Sequence, residues 1–110
     1  MPVWQNALEL SSIVFDMTLT LPKSEDYGLT SQIRKSSNSV SGNIAEAFGR
    51  KQKKDKSRFY HISRGSAFET QSHLLYGNKV GYFEESKVEE LFISYSDLIH
   101  ELNKILKSLE

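Results

Sequence analysis

Apolar residues recur at every third or fourth position along most of this chain, which is the spacing of a helix with a buried face. The pattern predicts four helices, at about residues 3–20, 25–48, 55–76 and 85–109. The first helix has two apolar faces, one through Trp4, Leu8 and Phe15 and another through Leu10 and Met17. Because a helix that is apolar on two sides needs two partners, we expect one face to meet the bundle core and the other to meet a neighbouring subunit.

The second and third helices contain residues that are expected to bend, cap or end a helix. Ser41-Gly42 marks an expected kink, because Gly/Ser pairs are a recognised cause of helix bending. The third helix is expected to be capped by Asp55 or Ser57 and to end at Gly77-Asn78. The same spacing places Phe48, Ile62 and Leu75 in the core.

Four helices with short connections predict an all-α fold. The arrangement that such connections favour is an antiparallel up-down four-helix bundle, formed here as a single domain over residues 1–110.

Charge is distributed unevenly, although fourteen Lys and Arg residues balance fourteen Asp and Glu residues. Residues 28–83 hold ten basic and three acidic side chains, a net charge of +7, and both flanks are acidic. Six basic residues fall within the nine positions 50–58. A charge run of this kind is often only a solvated connection, but a basic middle in a neutral chain favours a surface that binds nucleic acid.

The predicted nucleic-acid contacts lie on the hairpin of the second and third helices. Lys and Arg contact phosphates without needing a particular sequence. Tyr60 and His61 lie beside them in the chain and could stack on an unpaired base. The predicted contact residues are Arg34, Lys35, Arg50, Lys51, Lys53, Lys54, Lys56, Arg58 and Arg64.

Composition restricts the class of protein further. The chain has no cysteine, so it forms no disulfide and no thiolate zinc site. No apolar run approaches the ~20 residues that span a bilayer. The N-terminus lacks the basic and apolar regions of a signal peptide. We therefore expect a cytoplasmic protein that does not contact membranes.

Two polar stripes are candidates for a layer inside the bundle. Ser39, Asn43, Glu46 and Arg50 follow one another at helical spacing, as do Ser66, Glu69 and His73. If both stripes face inward, their members must satisfy each other's hydrogen bonds. We interpret them as a structural network that fixes helix register, rather than as a catalytic site. The residues assigned to this network are Asn43, Glu46, Ser66 and Glu69.

Enzymatic and metal chemistry find little support in the sequence. Di-metal bundles use Glu-x-x-His on two helices and a further Glu on each of the others. Only Asp97 and His100 have that spacing here, and Glu69 and His73 are four residues apart. No phosphate-binding loop, dinucleotide motif or nucleophile elbow is present. We expect no catalytic residue, no metal and no cofactor.

Several segments resemble the bacterial four-helix bundle proteins encoded by 23S rRNA intervening sequences. Two positions depart from that family's pattern: Ala47 stands where Gly is usual, and Ser41 where Pro is frequent, so a kink must rest on Gly42. The resembling segments span nearly the whole chain and are Val3–Leu10, Leu21-Pro22, Glu25–Arg34, Asn43–Glu46, Phe48–Arg50, Arg58-Phe59 and Gly65–Glu69.

The resemblance implies a bundle that assembles into a ring-like homo-oligomer, a pentamer. The family is also similar to the accessory variability protein of diversity-generating retroelements, which forms a positively charged ring that engages nucleic acid and a reverse transcriptase. By this similarity Arg34, Arg50 and Arg58 belong to the charged surface. The four network residues named above are signature residues of the structure.

These observations lead to one main expectation and one alternative. We expect a non-enzymatic, homo-oligomeric protein that binds nucleic acid, RNA before DNA, or acts as a scaffold. The alternative is a protein-interaction adaptor with no nucleic-acid role, whose helix faces bind a partner polypeptide. Salt dependence and competition by RNA or DNA distinguish the two, because phosphate contacts weaken steeply with salt.

Overall fold

The computed structural model describes all 110 residues and contains four α-helices and no strand. The predicted all-α four-helix fold is thereby confirmed. A 3₁₀ turn, Lys23–Glu25, lies between the first two helices. The helices are α1, Pro2–Thr18; α2, Leu29–Gly49; α3, Lys53–Lys79; and α4, Glu85–Ser108.

The helices are arranged so that each contacts two neighbours. α1 and α3 each pack against both α2 and α4, and no contact crosses either diagonal of the bundle. The α1–α2 pair and the α3–α4 pair therefore form opposite sides of the molecule. The bundle measures 43 × 25 × 19 Å, and its long axis follows the helices.

The core is built from the predicted apolar stripes. Val14, Ile33, Ile44, Leu74 and Leu102 are fully buried, one or more from each helix. Burial of an aliphatic side chain of this size contributes about 1.5–3 kcal/mol, so the stripes account for the packing of all four helices. Three residues predicted to be in the core are instead exposed, namely Phe48, Ile62 and Leu75.

The interface between α2 and α3 is the most extensive in the bundle and contains buried hydroxyl groups. Ser36 Oγ and Thr70 Oγ1 lie 2.8 Å apart, and Ser63 Oγ donates to the Val40 carbonyl oxygen at 2.8 Å. Because these side chains are short, the two helices approach closely, and each hydroxyl group named here has a hydrogen-bond partner. The poor helix formers of α2 are thus stabilised by packing, and α2 is unbroken through Ser41-Gly42.

The first connection differs from the prediction because α2 begins later than residue 25. Gly28 occupies the position before the helix with φ −109° and ψ −117°, which is not helical. Glu25 Oε1 accepts a hydrogen bond from the Leu29 N–H at 3.0 Å and so caps the new N-terminus. A Cβ at Gly28 would lie 2.6 Å from that oxygen, so any larger residue here would require the Glu25 carboxylate to shift.

The end of α3 also differs, because the helix continues through Gly77-Asn78 to Lys79. A Cβ on Gly77 would overlap the ring of Phe83, which folds back onto the helix. The Gly77 carbonyl oxygen accepts hydrogen bonds from the N–H groups of Tyr82 and Phe83. The turn itself is made at Gly81, whose φ is +89°, a backbone conformation that favours glycine.

Candidate nucleic-acid interface

The basic run of residues 50–58 lies at one end of the bundle and is mostly helical. Only residues 50–52 connect α2 to α3, and the run continues through the first turns of α3. The predicted caps Asp55 and Ser57 do not cap the helix: Gln52 occupies that position, and no side chain bonds to the free N–H groups there. The third helix was predicted to begin at about residue 55 and begins at Lys53, so the basic run is a short connection followed by a basic helix start.

Two arginines of the run are held against one aromatic ring. The guanidinium carbon of Arg50 lies 4.6 Å from the centroid of the Phe59 ring, and that of Arg58 lies 4.3 Å from it. Arg50 also pairs with Glu46 at 3.3 Å across one helical turn. Cation–π contacts of this kind contribute about 0.5–1 kcal/mol at exposed sites, so both guanidinium groups are positioned before any ligand arrives.

Lys56 has a structural role in addition to its charge. Its Nζ donates to the carbonyl oxygens of Ala47 and Phe48, at 3.2 and 3.1 Å, and these are among the last carbonyls of α2. A cation there adds a donor at the end of the helix, where the Ala47 carbonyl oxygen also accepts from the Arg50 N–H, and it complements the negative end of the helix dipole. Lys56 thus joins the end of α2 to the start of α3.

Three lysines of the run remain free. Lys51, Lys53 and Lys54 are exposed, and none has a hydrogen-bond or ion-pair partner within the protein. Their ammonium groups are available to a ligand without breaking any internal contact.

The other predicted contact residues lie elsewhere. Arg34 and Lys35 are near the start of α2, about 22–24 Å along the helix from Arg50 at 1.5 Å per residue. Arg34 Nε donates to Thr18 Oγ1 at 2.8 Å, and its guanidinium lies 4.3 Å from the Phe15 ring centroid. This arginine ties α2 to the last turn of α1.

Arg64 lies about three turns of helix into α3 and bridges to α4. Its Nη1 donates to Asn103 Oδ1 at 2.8 Å, and Nη2 lies 3.0 Å from His61 Nδ1. Of the two residues proposed to stack on bases, His61 is exposed, whereas Tyr60 is only 4% exposed. Burial also raises the pKa of Tyr60. Stacking by Tyr60 is therefore excluded in this fold.

The predicted polar stripes do not form an interior layer. Asn43 Nδ2 and Ser66 Oγ each donate to Ser39 Oγ at 2.9 Å, which links α2 to α3 at a partly exposed position. Glu46 and Glu69 instead lie on the surface, where they pair with Arg50 and His73 of their own helices. The expected inward-facing network is corrected accordingly, and the buried polar groups are the hydroxyls between α2 and α3.

No three His, Cys, Asp or Glu side chains are placed to hold a metal ion. Glu69 and His73 pair with each other, His73 Nε2 lying 3.1 Å from Glu69 Oε2. No helix combines the length and apolar character that crossing a membrane requires.

Sequence reasoning missed the polar cluster that anchors the first connection. Tyr82 OH, from the α3–α4 connection, donates to Glu25 Oε2 at 2.9 Å, and the Leu29 N–H binds the other carboxylate oxygen. These two hydrogen bonds, that from Leu29 first, lower the pKa of Glu25. The signal in the sequence is the Glu25–Leu29 segment, in which Gly28 directly precedes the helix that Glu25 caps.

Charge is separated along the length of the bundle. The basic run marks what we call the basic end, which also holds Lys104 and Lys107 near the end of α4. The opposite, acidic end carries the acidic residues of the first connection and of the start of α4. These are Glu25, Asp26, Glu84, Glu85, Glu89 and Glu90, and the same end also carries Lys23, Lys79 and Lys87, so its excess of negative charge is partial.

The four helices define an all-α, antiparallel four-helix bundle. The chain belongs to the 23S rRNA-intervening sequence protein family, whose model matches residues 1–108. No curated protein matches the sequence.

A solved structure similar to this one is the 1.70 Å crystal structure of a protein of unknown function from the S23 ribosomal protein family of Bacteroides thetaiotaomicron VPI-5482. The two chains are 20% identical and superpose with a TM-score of 0.84 over 96% of this chain and 98% of that chain. At this identity the likeness shows a shared fold.

Proposed function

We propose that this protein is a non-enzymatic, homo-oligomeric nucleic-acid-binding protein that contacts phosphates, of RNA in the first instance, with its basic end. The observation that carries the proposal is the group of six basic residues at 50–58, three of which are exposed and free of internal partners. Contacts to phosphate need cations whose side chains can reach the phosphate oxygens, and Lys51, Lys53 and Lys54 meet that requirement.

The position of these cations supports a binding role over a structural one. Lys53 and Lys54 lie in the first turn of α3, where the helix dipole is positive and cations are unfavourable by about 0.3–1 kcal/mol each. Helix stability alone would favour acidic residues there. The same uncapped N-terminus offers free N–H groups to an anion, so the arrangement suits a phosphate better than it suits the helix.

Arg50 and Arg58 are the second part of the proposed contact surface. Because Phe59 holds both guanidinium groups, binding loses little of their rotational freedom. Guanidinium groups bind phosphate oxygens in pairs of parallel hydrogen bonds.

Oligomerisation would multiply this weak, nonspecific contact. Family resemblance favours a ring of five copies, and each copy adds another basic end to the same particle. Once one copy is bound, the others bind at high effective concentration, so avidity exceeds the affinity of one protomer. We place this function in the cytoplasm.

The test is fluorescence anisotropy of labelled structured RNA and duplex DNA at several salt concentrations. We expect binding that weakens with salt, and we expect the combined changes Lys51→Glu, Lys53→Glu and Lys54→Glu to lower the log–log salt slope by about 3 per bound protomer. The matched control is Lys23→Glu, Lys79→Glu and Lys87→Glu, which changes net charge equally at the acidic end and is expected to bind like the natural protein.

Either of two results would overturn the proposal. One is unchanged affinity in the basic-end variant, and the other is equal loss in both variants, which would reduce the effect to net charge alone. Absence of binding to either nucleic acid at low salt would favour the adaptor function instead.

A further inference from the structure

An apolar recess lies at the basic end, between the start of α1 and the last turns of α2. Ile44, Ala45 and Phe48 share one face of α2, because they are three and four residues apart, and Trp4 of α1 lines the recess with them. The recess has a volume of about 280 Å³, slightly below the ~300 Å³ at which pockets for drug-sized ligands begin. It therefore suits a single flat ring. Its lining residues are Met1, Trp4, Ile44, Ala45 and Phe48.

Two aromatic side chains form the walls of this recess and differ in burial. Phe48 is 68% exposed, so its ring is accessible to a ligand. Trp4 is partly buried and packs against the core, and Ile44 beneath them is fully buried. The recess thus combines an accessible aromatic ring with supports that are fixed by the bundle.

Cations lie at the edge of the recess. Lys56 Nζ is 5.9 Å from the centroid of the Phe48 ring. An ammonium group has three N–H donors, and those of Lys56 serve two carbonyl oxygens of α2, so one donor remains for a phosphate oxygen. Lys51 follows Phe48 by three residues and is exposed. No acidic side chain lines the recess.

This combination selects among possible occupants. Aromatic side chains beside cations that follow a phosphate backbone are the arrangement with which proteins bind unpaired bases. A flat ring attached to a phosphate matches both parts of the site. An aliphatic chain would use the apolar lining but would gain nothing from the aromatic rings.

We propose that the recess binds one unpaired base of a nucleic acid, stacked on the Phe48 ring, while Lys51 and Lys56 contact the phosphates beside it. The inference rests on the nucleic-acid binding of the proposed function and names its substrate more closely, as a single strand or an unpaired loop. In a duplex the bases are paired and stacked on one another, so none is free to enter. Phe48 thereby takes the stacking role that burial denies to Tyr60.

The lining also determines how selective the site is. Its side chains offer only the Trp4 indole N–H as a strong hydrogen-bonding group. The recess therefore does not distinguish bases by their edges, and stacking accepts every base because each has an aromatic face. We expect binding of single strands with little sequence preference.

The test uses the fluorescence of Trp4, which is the only tryptophan in the chain and reports directly on the recess. The natural protein is titrated with oligouridylate and with an abasic oligomer of the same length, which carries the same phosphates without bases. We expect oligouridylate to quench Trp4 and to bind about tenfold more tightly than the abasic oligomer, within the range for one stacked base. A duplex with one bulged base is expected to quench Trp4 more than the same duplex fully paired.

Variants at Phe48 separate stacking from charge. Phe48→Ala is expected to bind oligouridylate about tenfold more weakly and the abasic oligomer unchanged, whereas Phe48→Tyr keeps the ring and is expected to bind both like the natural protein. The matched control is Phe68→Ala, at another exposed phenylalanine outside the recess, which is expected to change neither affinity. If circular dichroism shows that Phe48→Ala is unfolded, Phe48→Leu keeps the apolar volume without the aromatic ring and is expected to show the same selective loss.

Three results would overturn the inference: equal affinity of the natural protein for both oligomers, an equal loss for both oligomers in Phe48→Ala, or the same selective loss in Phe68→Ala. A changed mass of Phe48→Ala by light scattering would assign the recess to contact between copies of the chain and would overturn it as well. Salt-sensitive binding that does not depend on bases would leave the phosphate contact of the proposed function standing. Absence of binding to any oligomer at low salt would refute both proposals.

Discussion

Lys56 Nζ lies 3.2 Å from the carbonyl oxygen of Ala47 and closes the end of α2 from the first turn of α3. Replacing it with Met keeps the aliphatic stem and removes the donor, leaving carbonyl oxygens of α2 without this partner. We expect Lys56→Met to lower the free energy of unfolding by about 1 kcal/mol, a typical value for one lost hydrogen bond. Urea unfolding measures this, and Lys51→Met, at an exposed lysine without partners, should change it by less than about 0.5 kcal/mol. Equal effects at both positions would contradict the capping role.

Lys53 and Lys54 are expected to be unfavourable for the fold. Because they lie at the positive end of α3, Lys53→Glu with Lys54→Glu should raise the free energy of unfolding by about 0.3–1 kcal/mol for each residue. Lys79→Glu, at the other end of the same helix, should lower it. Thermal unfolding at low salt measures whether each variant is more or less stable than the natural protein. A basic-end variant that is more stable yet binds nucleic acid less well would separate binding from folding, whereas a less stable one would refute the dipole argument.

Tyr82 should influence stability in a pH-dependent way through Glu25. Hydrogen bonds from Leu29 and Tyr82 lower the pKa of Glu25 from its ordinary value of 4.5. The resulting stabilisation is complete above that value and is lost as the pH falls through the lower pKa of the folded protein. We expect Tyr82→Phe to be destabilising at pH 7 and progressively less so on acidification below pH 4.5.

Urea unfolding of Tyr82→Phe at a series of pH values tests this dependence. Tyr27, which is 98% exposed, offers the matched change Tyr27→Phe, and this variant should follow the natural protein at every pH. A destabilisation by Tyr82→Phe that does not vary between pH 7 and pH 3 would show that the tyrosine acts independently of the Glu25 charge.

Tyr95 presents a buried hydroxyl without a partner in the core. Its ring is fully buried, its oxygen makes no hydrogen bond, and burial raises its pKa. Because an unpaired buried polar group is unfavourable, Tyr95→Phe should leave the free energy of unfolding unchanged or raise it by up to about 1 kcal/mol. Calorimetry of this variant measures the change in the free energy of unfolding. A loss above about 1 kcal/mol would mean that the hydroxyl is bonded in solution.

Two helical glycines should respond oppositely to alanine. Gly77→Ala places a methyl group against the Phe83 ring, so the ring must move or the turn must open, at a cost of about 1–3 kcal/mol. Gly42→Ala meets nothing within 4 Å in an exposed helical position and should raise stability by about 0.5–1 kcal/mol. Denaturant midpoints measure the pair, and the same sign at both positions would contradict this account.

The helical core was predictable because apolar periodicity is a local signal. In α4, Val88, Leu91, Tyr95, Leu98 and Leu102 follow the helical spacing, and all are buried. The same spacing wrongly placed Phe48, Ile62 and Leu75 in the core. Periodicity reports that a side chain lies on an apolar face, but it does not report whether that face turns toward the core or away from it.

The boundaries and the candidate site depended on contacts between residues far apart in the chain. The late start of α2 rests on Glu25, which is itself held by Tyr82, 57 residues away. In the sequence Lys56 is one more cation of the basic run, and only the structure shows its hydrogen bond to the Ala47 carbonyl oxygen. Side-chain type predicts what a residue can bind, whereas its actual partner follows from packing.

The separation of basic and acidic ends also bears on how fast the protein meets its ligand. A bundle 43 Å long with opposite charge at its two ends experiences a torque in the field of a polyanion, which turns the basic end forward during diffusion. Association should therefore be accelerated by orientation although the net charge is zero. Added salt should therefore slow association more than it hastens dissociation.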